Sequence, residues 1–103
     1  MKTNVELTNR CRKSLKKVPK QVVAALMLWK KEVEDNGIGF IQRVTTYRDH
    51  SLEGRLKQAG VRSISLSYGY RGYYRLEKNE IILVTVEDVN NHDYKAIERL
   101  FGG

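Results

Sequence analysis

The pattern of apolar and polar residues changes early in the chain from alternation to a helical period. Residues 5–8 alternate and therefore predict a short edge strand. Either Thr8 or Asn9 can then cap a helix, because both side chains accept hydrogen bonds from free backbone N–H groups. The apolar stripe of that helix falls at i, i+4 and i+7, on Cys11, Leu15 and Val18.

Pro19 separates this helix from a longer one. Proline cannot continue a helix, but it suits the first turn of the next. The second helix is predicted to end at Gly37, and its core face is Val22, Leu26, Trp29 and Val33. The two segments together predict an αα-hairpin.

The second half of the chain predicts a meander of strands. Residues 38–60 show little regular pattern, and 47–60 are expected to be a connection with about one helical turn. In a strand over 61–66, Ile64 and Leu66 share one face, and Ser63 and Ser65 the other. In the next strand, 70–76, the two faces are Tyr70, Tyr74 and Leu76 against Arg71, Tyr73 and Arg75.

The end of the chain adds a buried strand and a helix. Residues 77–80 predict a hairpin turn, and 81–86 are apolar on both faces, which is typical of a central strand. Tyr94, Ile97 and Phe101 then fall at i, i+3 and i+7 of a last helix. The predicted order β-α-α-β-β-β-α is an α+β fold, with two N-terminal helices packed on a small, mainly antiparallel sheet.

Composition limits the class of protein. A chain of 103 residues is expected to form a single domain over 1–103. It has no apolar run near the roughly 20 residues of a membrane span, so we expect a cytoplasmic protein. The lone Cys11 excludes an intrachain disulfide and argues against a cysteine metal site.

The net charge of +7 is unevenly distributed. Residues 1–60 hold 13 Lys and Arg against 6 Asp and Glu, whereas residues 61–103 hold 6 of each class. The whole excess therefore lies in the first 60 residues. This asymmetry indicates a polyanion or an acidic protein partner, unless it only provides a solvated surface.

Five segments carry a resemblance to a known family over nearly the whole chain. They are Leu15-Lys-Lys-Val-Pro19, His50-Ser-Leu-Glu-Gly-Arg-Leu56, Arg62-Ser-Ile-Ser-Leu66, Tyr70-Arg-Gly-Tyr-Tyr74 and Asn91-His-Asp-Tyr94. In this order they resemble the RelE/ParE toxin superfamily of type II toxin–antitoxin systems. The resemblance implies a RelE-like domain that cleaves mRNA on the ribosome without metal or other cofactor. It also implies a cognate acidic antitoxin as partner, and no direct reading of DNA by this chain.

The chemistry of RNA cleavage selects the candidate catalytic residues. It requires a base for the 2′-OH, a cation for the phosphorane and an acid for the leaving oxygen. Arg71 suits the phosphate because its planar fork matches phosphate oxygens, and His92 exchanges protons near neutral pH. The resemblance adds Tyr94, as a residue that stacks on or orients the substrate, and Glu53, as a possible base. His50 is expected to be structural or merely exposed.

A basic collar is predicted to hold the RNA backbone. It consists of Arg48, Arg55, Lys57 and Arg62, with Tyr73 as a possible stacking residue. One difference from RelE stands out, because Ser63 and Ser65 occupy positions where RelE has lysines. Two alternatives stay open: a ParE-like inhibitor of DNA gyrase, and a catalytically weak RNA-binding relative.

Overall fold

A five-stranded sheet organises the chain in a computed structural model that describes residues 3–78, 82–91 and 93–101. The strands are β1 (Thr3–Leu7), β2 (His50–Ser51), β3 (Arg62–Ser65), β4 (Arg71–Lys78) and β5 (Ile82–Asn90). Their spatial order is β1-β5-β4-β3-β2. Only β1 pairs in parallel, with β5, and the other three described pairings are antiparallel. The predicted α+β class with a mainly antiparallel sheet is confirmed.

Strand β5 is an interior strand of the sheet, as its apolar faces predict. It lies between β1 and β4, and Val84, Val86 and Val89 are buried. The register shifts between Tyr73 and Tyr74, so that Glu87 is an extra residue in β5. This bulge allows Val86 and Val89, three residues apart, to pack in the same core. It also sets Asn90 opposite Arg71 at the end of the ladder.

The structure describes only residues 77 and 78 of the predicted hairpin turn at 77–80. Glu77 and Lys78 belong to β4 and pair with Leu83 and Ile82, so the strand is longer than expected. The remainder of the turn lies outside the described residues.

The two predicted N-terminal helices are found, and both pack on one face of the sheet. Helix α1 (Asn9–Leu15) begins at Thr8, whose hydroxyl accepts from the backbone N–H of Cys11 at 3.0 Å. Helix α2 (Lys20–Asn36) follows Pro19 and ends at Gly37, whose φ of 87° is a left-handed conformation that glycine adopts without strain. The four predicted core residues of α2 are all fully buried: Val22, Leu26, Trp29 and Val33.

The connection 38–60 holds more structure than its sequence pattern indicates. Helix α3 (Ile38–Ile41) and a 3₁₀ turn (Thr45–Tyr47) precede β2, and helix α4 (Gly54–Gln58) follows it. The single expected turn corresponds to α4. Strand β2 has only two residues, which is too short for an alternating pattern to reveal.

Two separate cores cover the two faces of the sheet. The larger core lies under α1 and α2 and includes Tyr74 from β4. The smaller core lies on the opposite face and includes Tyr73. It is covered by α4 and by the last helix, α5 (Tyr94–Leu100), whose predicted apolar residues Ile97 and Phe101 pack there. The alternation predicted for β4 is therefore correct.

Candidate functional site

Arg71 is the first residue of β4, and its guanidinium lies along the neighbouring strand β3. Its side chain is largely buried, with the residue 9% exposed. Nε donates to the hydroxyl of Ser63 at 3.1 Å, and Nη1 donates to the hydroxyl of Ser65. Within the described residues no carboxylate pairs with it. Two neutral hydroxyls thus orient the guanidinium while leaving its charge available to a phosphate.

His50 lies directly beside Arg71. The Nη2 atom of Arg71 is 3.5 Å from both ring nitrogens of His50. Nδ1 of the histidine lies 2.8 Å from the backbone carbonyl of Arg48, and because a carbonyl only accepts, Nδ1 must carry the hydrogen. In the neutral ring Nε2 is then the basic atom. His50 is exposed, as expected, and it also adjoins Arg71, the candidate phosphate-binding residue.

A buried carboxylate anchors the residue directly before His50. The side chain of Asp49 is 0% exposed and accepts from Nε of Arg62 at 2.7 Å and from the hydroxyl of Tyr74. Tyr74 accepts in turn from Nε2 of Gln42 at 3.0 Å. Burial, together with the Asp49 carboxylate, raises the pKa of Tyr74 above its ordinary value. The neutral phenol therefore remains a donor, and the network holds the strand that carries His50.

Arg62 has a different position from the one expected. It is partly buried, and its charge is compensated by the enclosed carboxylate of Asp49. Burial acts to lower the pKa of Arg62, but the hydrogen bond and the negative charge of Asp49, with smaller contributions from Tyr74, together outweigh burial and raise it. Arg62 therefore stabilises the loop that bears His50, and we correct its assignment as part of the RNA-binding collar.

A cleft of about 350 Å³ has His50, but not Arg71, in its lining. It is lined by His50, Ser51, Leu52, Glu53, Leu56, Tyr94 and Glu98. Two predicted catalytic residues, Glu53 and Tyr94, thus share one cavity with His50. Tyr94 is partly buried and packs edge-on against Tyr73, with ring centroids 6.0 Å apart and an interplanar angle of 79°. A tyrosine held in this way is a firm wall for a flat ligand.

A second cleft, of about 420 Å³, lies on the side of Arg71 itself. It is lined by Thr46, Arg48, Ser65, Leu66, Gly69, Tyr70 and Arg71. Arg48 is exposed here, in the left-handed conformation that ends the 3₁₀ turn, with φ 47° and ψ 44°. Two arginines in one open cleft favour an anion, so the phosphate side and the aromatic side of the site are distinct.

Tyr73 is not available to RNA, which corrects its predicted stacking role. The residue is 0% exposed, and its hydroxyl donates to Oδ1 of Asn90 at 2.9 Å. Desolvation by this burial is the main reason why the pKa of Tyr73 is raised. The alternation of β4 placed Tyr73 correctly on the face opposite Tyr74. It could not show that α4 and α5 cover that face.

The other predicted residues lie around the two clefts. Arg55 and Lys57 are exposed on α4, on either side of Leu56, which lines the cleft beside His50. His92 lies outside the described residues. Two residues that flank it in sequence are joined by a hydrogen bond: the backbone N–H of Asp93 donates to Oδ1 of Asn90 at 2.9 Å. This bond connects the start of α5 to the end of β5.

Neither a metal-binding cluster nor a membrane-spanning helix is found in the described part of the chain. No group of three or more His, Cys, Asp or Glu side chains is arranged there to hold a metal ion. Among the helices described above, none combines the length and apolarity that crossing a membrane requires.

Comparisons with known proteins identify the fold. No protein-family model matches the sequence, and no curated protein matches it. Several solved structures are similar, among them the following three. YafQ from E. coli strain BL21(DE3) has a TM-score of 0.68 at 19% identity, covering 98% of this chain and 100% of YafQ. The E. coli DinJ–YafQ toxin–antitoxin complex has a TM-score of 0.68 at 20% identity, covering 99% of this chain and 100% of the matched chain.

The third similar structure is the RelBE2 toxin–antitoxin complex of Mycobacterium tuberculosis. It gives a TM-score of 0.63 at 22% identity, covering 87% of this chain and 98% of the matched chain. The chain therefore has the RelE-like fold, and the family resemblance drawn from its sequence is confirmed at the level of the fold.

Proposed function

We propose that this chain, which has the fold of RelE and YafQ toxins, is the toxin of a type II toxin–antitoxin system and cleaves mRNA on the ribosome. One observation carries the proposal: the oriented guanidinium of Arg71 adjoins the imidazole of His50. A fixed cation and a proton-exchanging group are two of the three groups that acid–base cleavage of RNA requires. Clefts on both sides leave room for the nucleotide.

The reaction is a transfer of phosphorus from the 5′-oxygen to the neighbouring 2′-oxygen. Nε2 of His50 takes the 2′-OH proton, the 2′-oxygen attacks phosphorus, and the bond to the 5′-oxygen breaks. Arg71 balances the charge that accumulates on the phosphorane oxygens. The products are a 2′,3′-cyclic phosphate and a 5′-hydroxyl, after an acid has protonated the leaving oxygen. His92 is the proposed acid, on the strength of its chemistry and of the resemblance.

Glu53 is the other base that the geometry allows. It lines the same cleft as His50, and an ionised carboxylate accepts a proton from a hydroxyl within hydrogen-bond reach. The variants His50→Gln and Glu53→Gln separate the two assignments. We expect cleavage to be lost in the first and to persist, at a reduced rate, in the second.

The proposed partner is an acidic antitoxin. Two of the similar structures are described as toxin–antitoxin complexes. In this chain Arg12, Lys13, Lys16, Lys17 and Lys20 are exposed along and just after α1, whereas Arg10 is paired with Asp88. An exposed row of cations favours an acidic segment through charge complementarity. Binding of the partner is expected to protect mRNA from cleavage.

The experiment is a cell-free translation reaction with purified protein and end-labelled mRNA. We compare the wild type with an Arg71→Ala, His50→Gln double variant and with Arg12→Ala, which removes an exposed charge on α1 far along the chain from both residues. New 3′ ends from the wild type and Arg12→Ala, but not from the double variant, would support the proposal. Omission of ribosomes then tests ribosome dependence. Intact mRNA with normal translation would contradict the proposed cleavage of mRNA. A gyrase supercoiling assay would then be the next test.

A further inference from the structure

The cleft next to His50 has the lining of a site for one flat ring. Leu52 and Leu56 are buried beneath it and provide an apolar floor. Tyr94, braced by Tyr73, forms an aromatic wall. Stacking on such a surface stabilises any nucleobase, because every base has a π face. The floor and the wall alone would therefore bind bases without selecting among them.

Selection enters through Glu98. This residue lies four positions after Tyr94 on α5, so both side chains project from the same face of the helix, and both line the cleft. Glu53 lines the cleft from the other side, at the start of α4. An ionised carboxylate has acceptors and no donor. The edge of a base placed here must therefore offer N–H groups.

The charges also fix which part of a nucleotide enters the cleft. Two carboxylates repel a phosphate, whereas Arg71 and Arg48 in the neighbouring cleft attract one. His50 lies between the two clefts, lining the first and contacting Arg71 in the second. A nucleotide with its phosphate on Arg71 and its base in the acidic cleft presents its ribose to His50. It is then the nucleotide on the 5′ side of the cut, whose 2′-OH attacks.

We propose, on the basis of the RNA-cleaving function above, that Glu98 selects the base of that nucleotide and prefers guanine. Guanine carries N1–H and N2–H₂ side by side, and this pair of donors matches the two oxygens of one carboxylate. Adenine and cytosine offer one amino group each. Uracil has a single N–H between two carbonyl oxygens, which a carboxylate repels, so uracil is the least favoured base.

The first test maps cleavage on messages that differ only in the base on the 5′ side of the cut. The wild type is expected to favour guanine over uracil by at least about fivefold, as bidentate pairing of a base edge implies. In Glu98→Gln the ratio should fall toward one. Glu6→Gln, the same change on exposed Glu6 in β1, is the control and should keep the ratio. A guanine preference that survives in Glu98→Gln would overturn the proposal.

The second test separates this inference from the proposed function, because it needs neither ribosomes nor cleavage. Guanosine 3′-monophosphate and uridine 3′-monophosphate are titrated into the folded protein, and the NMR shifts of the Tyr94 ring are followed. Tighter binding of the guanosine nucleotide, lost in Glu98→Gln, would support the cleft even if mRNA stays intact. Equal binding of both nucleotides, or shifts that spare Tyr94, would refute it even if mRNA is cleaved.

Discussion

Arg71 and His50 meet across β3, with Nη2 of the guanidinium 3.5 Å from each nitrogen of the imidazole ring. Arg71 belongs to β4, and His50 belongs to β2, which pairs with β3 through His50 and Ser63. Strand β3 contributes the two serines on which the guanidinium rests. The three strands thus bring a guanidinium and an imidazole together, the pair on which the proposed cleavage of RNA depends.

Replacing Arg71 with lysine is expected to abolish cleavage although it keeps the charge. An ammonium cannot bond to both serines and still present a second edge to a phosphate, because it lacks the planar fork of the guanidinium. We expect the rate to fall at least about 100-fold, the usual cost of removing one donor to a developing anion. The measurement is single-turnover cleavage of a labelled message on ribosomes. The control is Lys57→Arg on exposed Lys57, which should leave the rate unchanged.

The serines on β3 are expected to act on catalysis only through Arg71. In a Ser63→Ala, Ser65→Ala double variant the guanidinium loses its two acceptors, so its orientation becomes variable and the rate should fall by about tenfold. Leaving two buried donors unpaired should also lower the free energy of unfolding by about 1–3 kcal/mol. Denaturation by urea and single-turnover cleavage measure the two effects. If the double variant cleaves as fast as the wild type, the serines do not position Arg71.

The sequence predicted the architecture because the regular spacing of its apolar residues matches the buried faces of helices and strands in the folded chain. The apolar period of α2 and the two faces of β4 are found as expected, since burial on one side is what creates such patterns. The position of His50 was not predictable in this way. It depends on a two-residue strand whose only signal is its pairing with β3.

The errors concern residues whose surroundings come from distant parts of the chain. Tyr73 was expected to meet RNA, but α4 and α5 close over it. Arg62 was expected to bind the RNA backbone, but its guanidinium is paired with the carboxylate of Asp49, thirteen residues earlier. Period-two alternation assigns a side chain to a face of a sheet, and it contains no information on what covers that face. Arg71 was assigned correctly to a strand face, while its contacts with two serines needed the register of β3.

Asp49 is expected to position His50, so Asp49→Asn should weaken both stability and activity. The variant keeps the shape but removes the charge that Arg62 and Tyr74 contact. Loss of a charged hydrogen bond in a buried setting should cost about 2–3 kcal/mol of unfolding free energy. Since the strand bearing His50 is held by this network, kcat should fall while KM for the ribosome–message complex changes little.

The matched control is Asp35→Asn, which removes an exposed carboxylate that pairs with Lys31 on the surface of α2. This pair is exposed on both sides, so its loss should change neither stability nor cleavage measurably. Equal effects of Asp49→Asn and Asp35→Asn would contradict a positioning role for the buried network.

Tyr74 is expected to make the protein less stable at alkaline pH. Burial, then the bond to Asp49, raises the pKa of the folded phenol above the value of about 10 that it has in the unfolded chain. The contribution of the raised pKa of Tyr74 to the free energy of unfolding is fully present below pH 10. It decreases as the pH rises further, because the phenol ionises in the unfolded chain and not in the folded one. Between pH 9 and 11 the wild type should lose about 1.4 kcal/mol relative to Tyr74→Phe, which has no phenol to ionise.

Urea unfolding of both proteins at these two pH values measures the difference, and comparison within the pair cancels the titration of lysines common to both. Tyr73→Phe provides an independent check, because burial raises the pKa of Tyr73 in the same direction. The loss of stability of the wild type relative to Tyr73→Phe should follow the same course. If the difference between wild type and Tyr74→Phe stays constant from pH 9 to 11, then Tyr74 ionises equally in both states and is not held neutral by burial and Asp49.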